Sequence, residues 1–165
     1  MDAERAVTAT VALRPIGFVR GGRKEPFNDD WDSVKAAIEL DTDWLGADSI
    51  RGLDGFSHAV VLFRFHVTDP STIVTGARHP RNDPDLPLTG IFAQRGHYRP
   101  NLIGSTVCRV LGVERTTVRV QGLDAIDGTP VIDIKPYMTA FAPRSEIREP
   151  GWVEDVMKSY WKKPS

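Results

Sequence analysis

The 165-residue chain is the size of one domain, and its 41% hydrophobic and 26% charged residues give a globular balance able to form a core. No apolar run approaches the roughly 20 residues of a membrane helix, and residues 1–15 lack a basic start followed by an apolar stretch, so a soluble cytoplasmic protein is expected. A net charge of −1 does not mark a nucleic-acid binder, and a single cysteine, Cys108, excludes an internal disulfide and a multi-cysteine zinc site.

In chain order, "VALRPIGFVR" reads as a first strand with Ile16 and Phe18 on one face. "VKAAIEL" alternates Ala36, Ile38 and Leu40 against Lys35, Ala37 and Glu39, the period of a strand. "DWLGADSIRGLDG" has a short helical character ended by Gly52 and Gly55. In "FSHAVVLFRFHV" the apolar Ala59, Val61, Phe63 and Phe65 should face a core. The opposite face carries His58 and Arg64 and reaches His66, so it is expected to border a pocket or an interface. Residues 69–89 read as a long irregular loop with four prolines, of the kind that is functional or mobile. Further strands are expected at "TGIFAQ", "STVCRVLGVE", "TTVRVQGL" and "PVIDIKPY", with a "DAIDGTP" turn carrying an Asp-Gly reversal signal between the last two. Finally, "EPGWVEDVMKSYWKK" spaces Trp152, Val156 and Tyr160 by four, predicting an amphipathic helix over about 150–162. Many short strands and one terminal helix indicate a mainly β single domain, a barrel with short helical additions.

Several chemistries find no support. His58 and His66 are eight residues apart, more than about 20 Å along a strand, so they cannot share an ion, and no metal site is expected. There is no nucleophile elbow, no phosphate-binding Walker loop and no dinucleotide glycine fingerprint. Cys108, within "TVCRVLGV", reads as a buried small hydrophobe.

What remains is "RGHYRPNLIGST", residues 95–106, inside a stretch made locally positive by Arg78, Arg81, Arg95, Arg99 and Arg109. Pro100 makes Arg99 extended, Asn101 suits a turn, and Gly104 permits close approach of a backbone or ligand. Guanidinium groups are suited to binding two oxygens of a carboxylate or phosphate at once. Two readings stand open: an anion site, or ion pairs from Arg95 or Arg99 to Asp124, Asp127 or Asp133. The turn carboxylates Asp124 and Asp127 are likewise either ligand acceptors or turn caps, and Asp133 with Lys135 either lines a site or forms a solvated pair.

Three segments together, "GLDGFSHAVVLFRFH", "GIFAQRGHYRPNLIGST" and "GLDAIDGTPVIDIKPY", resemble the TsaA-like (TrmO) family in order and spacing, over about residues 14–140. The resemblance implies a small closed β-barrel, a homodimer, and S-adenosylmethionine as cofactor. It implies methylation of N6 of threonylcarbamoyl-adenosine 37 in threonine tRNA, with a non-catalytic S-adenosylmethionine-binding module or a different methyl acceptor as the alternatives. Motif matching places cofactor contacts on His66, Val67, Arg95, Asp124, Ala125, Ile126 and Asp127. With tRNA as the implied acceptor, Arg99 and Asn101 are expected to orient the anticodon loop, with Tyr98, Lys135 and Tyr137 as further expected acceptor contacts, and no catalytic base is identified. The chain departs from the usual family forms at Gly96-His97-Tyr98, at Leu102 where a proline is usual, and at "RKEPFNDDW", where a Pro-Arg-Gln-Pro element is common. The expected C-terminal helix stands where longer bacterial members carry a further domain.

Overall fold

The computed structural model describes residues 10–162. Six antiparallel strands close into a barrel: β1 (Gly17–Arg20), β2 (Lys35–Leu40), β3 (His58–Arg64), β6 (Ile103–Glu114), β7 (Thr117–Gln121) and β8 (Pro130–Pro136), in the order β1-β2-β7-β6-β3-β8. Two short strands outside it, β4 (Ala77–Arg78) and β5 (Thr89–Gly90), pair with each other. The closed barrel expected from the resemblance is therefore what the chain forms.

Alternation fills the interior. Ile38 and Leu40 from β2, Ala59, Val61 and Phe63 from β3, Cys108 from β6, Val118 and Val120 from β7 and Val131 from β8 are all buried. Cys108 is 2% exposed, and burial together with the Asp124 carboxylate pushes its thiol up to about 12, so it is inert packing.

The structure decides which face of β1 is inward. Gly17 and Val19 point inward, while Phe18 lies outside beneath the Arg20 guanidinium, 5.4 Å from the ring centre. Period alone could not separate the two faces of "IGFV", because both are apolar or small. The pairing with β2 decides it, since a side chain at position 17 would meet the Glu39 carbonyl at 2.2 Å.

Three segments differ from expectation, and a fourth, 69–89, is the irregular loop expected but pinned at a few points. "TGIFAQ" is a strand only at Thr89–Gly90; Ile91–Ala93 form a 3-10 turn that buries Ile91 and exposes Phe92. β3 ends at Arg64, so His66 lies beyond the strand rather than on its face. The 69–89 segment is held by the β4–β5 pair and by the Gln94 amide, which donates to the carbonyls of Arg78 and Thr89. The terminal helix, α1, spans only Trp152–Met157, and Tyr160 follows it in a turn.

The "DAIDGTP" segment does reverse tightly. Thr129 N donates to Ile126 O at 3.2 Å and Gly128 takes a left-handed φ of 82°. It does not make a hairpin, however, because β7 pairs with β2 and β6 whereas β8 pairs with β1 and β3. The segment is a buried crossover, with Leu123 and Ala125 in the core cluster.

Gly104 permits close approach, but of side chains rather than of a backbone or ligand. A methyl group there would stand 2.5 Å from Phe63 Cε2 and 2.9 Å from Phe65 Cζ. The Phe63 ring, 1% exposed, has nowhere to retreat. Gly104→Ala should cost about 1–3 kcal/mol through overpacking, lowering Tm by roughly 3–10 °C. A melt within 1 °C or so of wild type would show that the two rings can yield.

Candidate functional site

β6 is paired with β3 over Ile103–Arg109 but meets β7 only from Arg109 onward. Residues 103–108 consequently have a strand neighbour on one side alone. Two side chains singled out from the sequence are anchored at adjacent residues of this stretch. Arg95 Nη2 donates to the Ser105 carbonyl at 2.5 Å. The inward-facing Thr106 hydroxyl, 5% exposed, donates to Asp124 Oδ1.

The second oxygen of Asp124, Oδ2, accepts from the Tyr160 hydroxyl. Burial pushes the Tyr160 phenol well above its usual range, and the Asp124 charge pushes it further, while the Arg95 guanidinium acts in the opposite sense. Arg95, Thr106, Asp124 and Tyr160 thus form one electrostatic neighbourhood drawn from four separate chain segments. Neither Arg95 nor Arg99 makes an ion pair among the described residues, so the alternative of pairs to Asp124, Asp127 or Asp133 is not what the fold contains.

His66 and Asp127 sit together at a second point. His66 Nδ1 lies 3.3 Å from the hydroxyl of buried Thr129, and a methyl on Gly128 would be 3.7 Å from His66 Nε2. Burial, and secondarily Arg64, hold His66 below the usual imidazole value, favouring a neutral ring. Asp127 Oδ1 accepts from Gly21 N at 2.8 Å, and Asp127 N donates to Arg23 O at 2.7 Å. Its carboxylate braces the turn against the β1–β2 loop. Ala125 and Ile126 are 3% and 8% exposed, leaving chiefly their backbone for any ligand, whereas Val67 is 58% exposed.

The acceptor residues expected from the resemblance divide. Tyr98 already has ring partners, with His97 at 3.9 Å between ring centres and the Arg78 guanidinium 4.2 Å from the ring centre. Arg99 Nη1 donates to Gln94 O at 2.8 Å, closing the loop that carries Arg95. Asn101 is exposed with φ 64°, and Leu102 after it is buried with φ 56°. Lys135 and Tyr137 do not join this group within one chain. β8 is separated from β6 by β3, Lys135 pairs with Asp133 at 2.7 Å on the surface, and Tyr137 N bonds to His58 O at the end of β3 away from His66.

Sequence reasoning missed Thr106, Thr129, Thr68 and the site role of Tyr160. A signal existed for Thr106: it is a polar residue in the buried alternation Gly104, Thr106, Cys108. No local signal existed for Tyr160, because its partner lies 36 positions away.

His97 packs edge-on to Phe65, and its Nδ1 lies 2.9 Å from the buried Thr68 hydroxyl. Burial first, and Arg78 second, hold its pKa below the usual value of 6.5. Protonation then favours the unfolded chain. The contribution of neutral His97 is complete above about pH 6.5 and is lost as pH falls through its depressed folded value. Melting temperature should fall from pH 7 to pH 5, and His97→Asn should flatten part of that slope. An unflattened slope would assign the acid sensitivity to His66, which is shifted in the same direction.

The family model of the tRNA-methyltransferase O N-terminal domain matches residues 25–142. The chain belongs to this family. Among curated members, a probable S-adenosyl-L-methionine-binding protein of Methanothermobacter thermautotrophicus is 34% identical over 131 residues, covering 77% of this chain and 90% of that protein. The tRNA (adenine(37)-N6)-methyltransferase of Escherichia coli is 35% identical over 132 residues, covering 74% of this chain and 56% of that enzyme. The crystal structure of TrmO from Pseudomonas aeruginosa aligns with a TM-score of 0.67 at 30% identity, covering 85% of this chain and 62% of that one. The chain therefore spans less than two thirds of the length of these two bacterial proteins. Arg95, Thr106, Asp124 and Asp127 fall within the stretch matched by the tRNA-methyltransferase O N-terminal domain, whereas α1 and Tyr160 follow it.

Proposed function

We propose that this chain is an S-adenosylmethionine-dependent methyltransferase whose acceptor is N6 of adenine 37 in tRNA, in its threonylcarbamoyl form. The observation that carries the reading is the meeting of Arg95 and Asp124 at adjacent residues of β6. An amino-acid cofactor with a nucleoside half needs a cation for its carboxylate and oxygen acceptors for its hydroxyls and amine, and this donor set fits both. Arg95 spends one donor on Ser105, and its remaining N–H groups suit a carboxylate. Asp124, with the peptide groups of Ala125 and Ile126, supplies acceptors, and His66 and Val67 flank the neighbouring turn.

Bound S-adenosylmethionine supplies an electrophilic methyl group, so the chain itself needs neither a metal nor a covalent nucleophile. Its residues have to align acceptor and donor and exclude water. Arg99 and Asn101 present a cation and an amide on the same loop as Arg95, suited to the backbone and splayed bases of an anticodon loop. We assign residues 1–165 to a single domain acting as a cytoplasmic homodimer on threonine tRNA. The first nine and last three residues of that domain lie outside the described structure.

The test is mass spectrometry of nucleosides from threonine tRNA that carries threonylcarbamoyl-adenosine 37 without an N6-methyl group, incubated with protein and cofactor. A gain of one methyl on threonylcarbamoyl-adenosine is expected. The second reading is a cofactor-binding module without transferase activity, favoured by the name of the Methanothermobacter relative, of which this chain covers 90%. Cofactor binding in calorimetry with no methyl gain on any tRNA nucleoside would select it.

A further inference from the structure

The residues that follow the family match do more than cap the barrel. Beyond α1, the carbonyls of Ser159, Tyr160 and Trp161 accept in succession from the amides of Asp30, Trp31 and Asp32, at 3.1, 3.0 and 2.8 Å. Upstream, Arg81 Nη2 donates to Val156 O at 2.5 Å while its guanidinium pairs with Asp29 at 2.9 Å. The bed is firm, since Trp31 is 4% exposed and lies under the Arg23 guanidinium at 4.4 Å. A strap so pinned delivers one polar atom inward, the Tyr160 hydroxyl, onto Asp124.

We propose that residues 152–161 form a strap that completes the cofactor site, with Tyr160 as the positioning residue for the Asp124 carboxylate. A carboxylate bonded at one oxygen only can turn about its last torsion. Bonded by Thr106 at Oδ1 and by Tyr160 at Oδ2, it has one orientation, and each oxygen keeps a second lone pair for a ligand donor. Two hydroxyls from separate elements therefore hold Asp124 ready for a ligand before it arrives, which cuts the ordering cost of binding. The Arg95 guanidinium near the same phenol makes the strap common to both charged groups of the site. The inference rests on the assignment of Asp124 to S-adenosylmethionine made above.

Calorimetry on the full chain separates the possibilities. Tyr160→Phe removes one oxygen and should raise the Kd for S-adenosylmethionine about tenfold, the effect of losing one hydrogen bond to a charged group. If Tyr160 acts through Asp124, that tenfold factor, roughly the full positioning effect, should shrink towards unity in the Asp124→Asn background. A role confined to general stability would give the same factor in both backgrounds and overturns the proposal. So does Tyr160→Phe binding as well as wild type, or more tightly, the latter meaning that the strap competes with the ligand. Hydrogen exchange on the unmutated protein gives an answer even if the variant folds poorly. S-adenosylmethionine should slow exchange in the 153–162 peptide, and unchanged exchange in a cofactor-saturated sample contradicts the strap. Wild-type protein that shows no heat of binding at all is instead the failure of the underlying cofactor assignment.

Discussion

Replacing Leu102 by proline should leave little folded protein at 37 °C. Three costs combine at this residue. Its φ is 56°, a left-handed value, whereas a proline ring holds φ near −65°. Its N–H donates to the Arg99 carbonyl at 3.1 Å, a bond proline cannot make. The preceding Asn101 is also left-handed, at 64°, a conformation disfavoured before proline. The backbone conflict amounts to about 3 kcal/mol or more, and the lost packing of a leucine 3% exposed adds on the order of 2 kcal/mol. Against a typical net stability of about 5–15 kcal/mol that is severe. The usual family residue is thus incompatible with this position of this chain as it folds. Leu102→Met keeps volume and backbone and should cost less than about 1.5 kcal/mol. Denaturant melts of both variants provide the check; a proline variant as stable as the methionine one would mean that the left-handed pair is not required.

Arg95→Ala should produce the largest functional loss with little structural change. The side chain is exposed and its one described hydrogen bond is to a carbonyl, so stability should move by less than about 1 kcal/mol. Its proposed partner is a carboxylate, and a hydrogen-bonded charge pair is worth about 1.5–3 kcal/mol, so the Kd for S-adenosylmethionine should rise roughly 10- to 100-fold. Arg95→Lys keeps the charge but loses the planar fork, and it should fall between alanine and wild type. Arg99→Ala should leave the cofactor Kd near the wild-type value and lower methyl transfer to tRNA instead. Calorimetry and nucleoside mass spectrometry on the same preparations test this division. It fails if both alanine variants weaken cofactor binding equally.

Elements whose signal is local were legible in the sequence. The inward positions of β2 and β3 followed from period-two alternation, because each strand has one apolar face and one mixed face. Burial of Cys108 followed from its apolar neighbours, whereas the shared face of Asp133 and Lys135 left open the surface pair that the fold forms. The loop carrying Arg95 and Arg99 stood out through its arginines, proline and glycine, although the acceptors those arginines find were not the carboxylates considered.

Everything decided by the meeting of distant segments waited for the tertiary structure. The face of β1 depended on the backbone of β2, and the crossover after β7 depended on which strands close the barrel. A four-residue repeat predicted a long terminal helix, yet the backbone beyond Met157 bonds to residues 30–32 instead. That exchange takes Tyr160 off a helix face and sets it on Asp124. The sequence by itself determined a β-rich chain and its core alternation, and it singled out the arginine loop with an anion site and ion pairs both open. Only the fold decided that Tyr160 joins Arg95 and Asp124, because contacts across tens of residues leave no periodic trace in the chain.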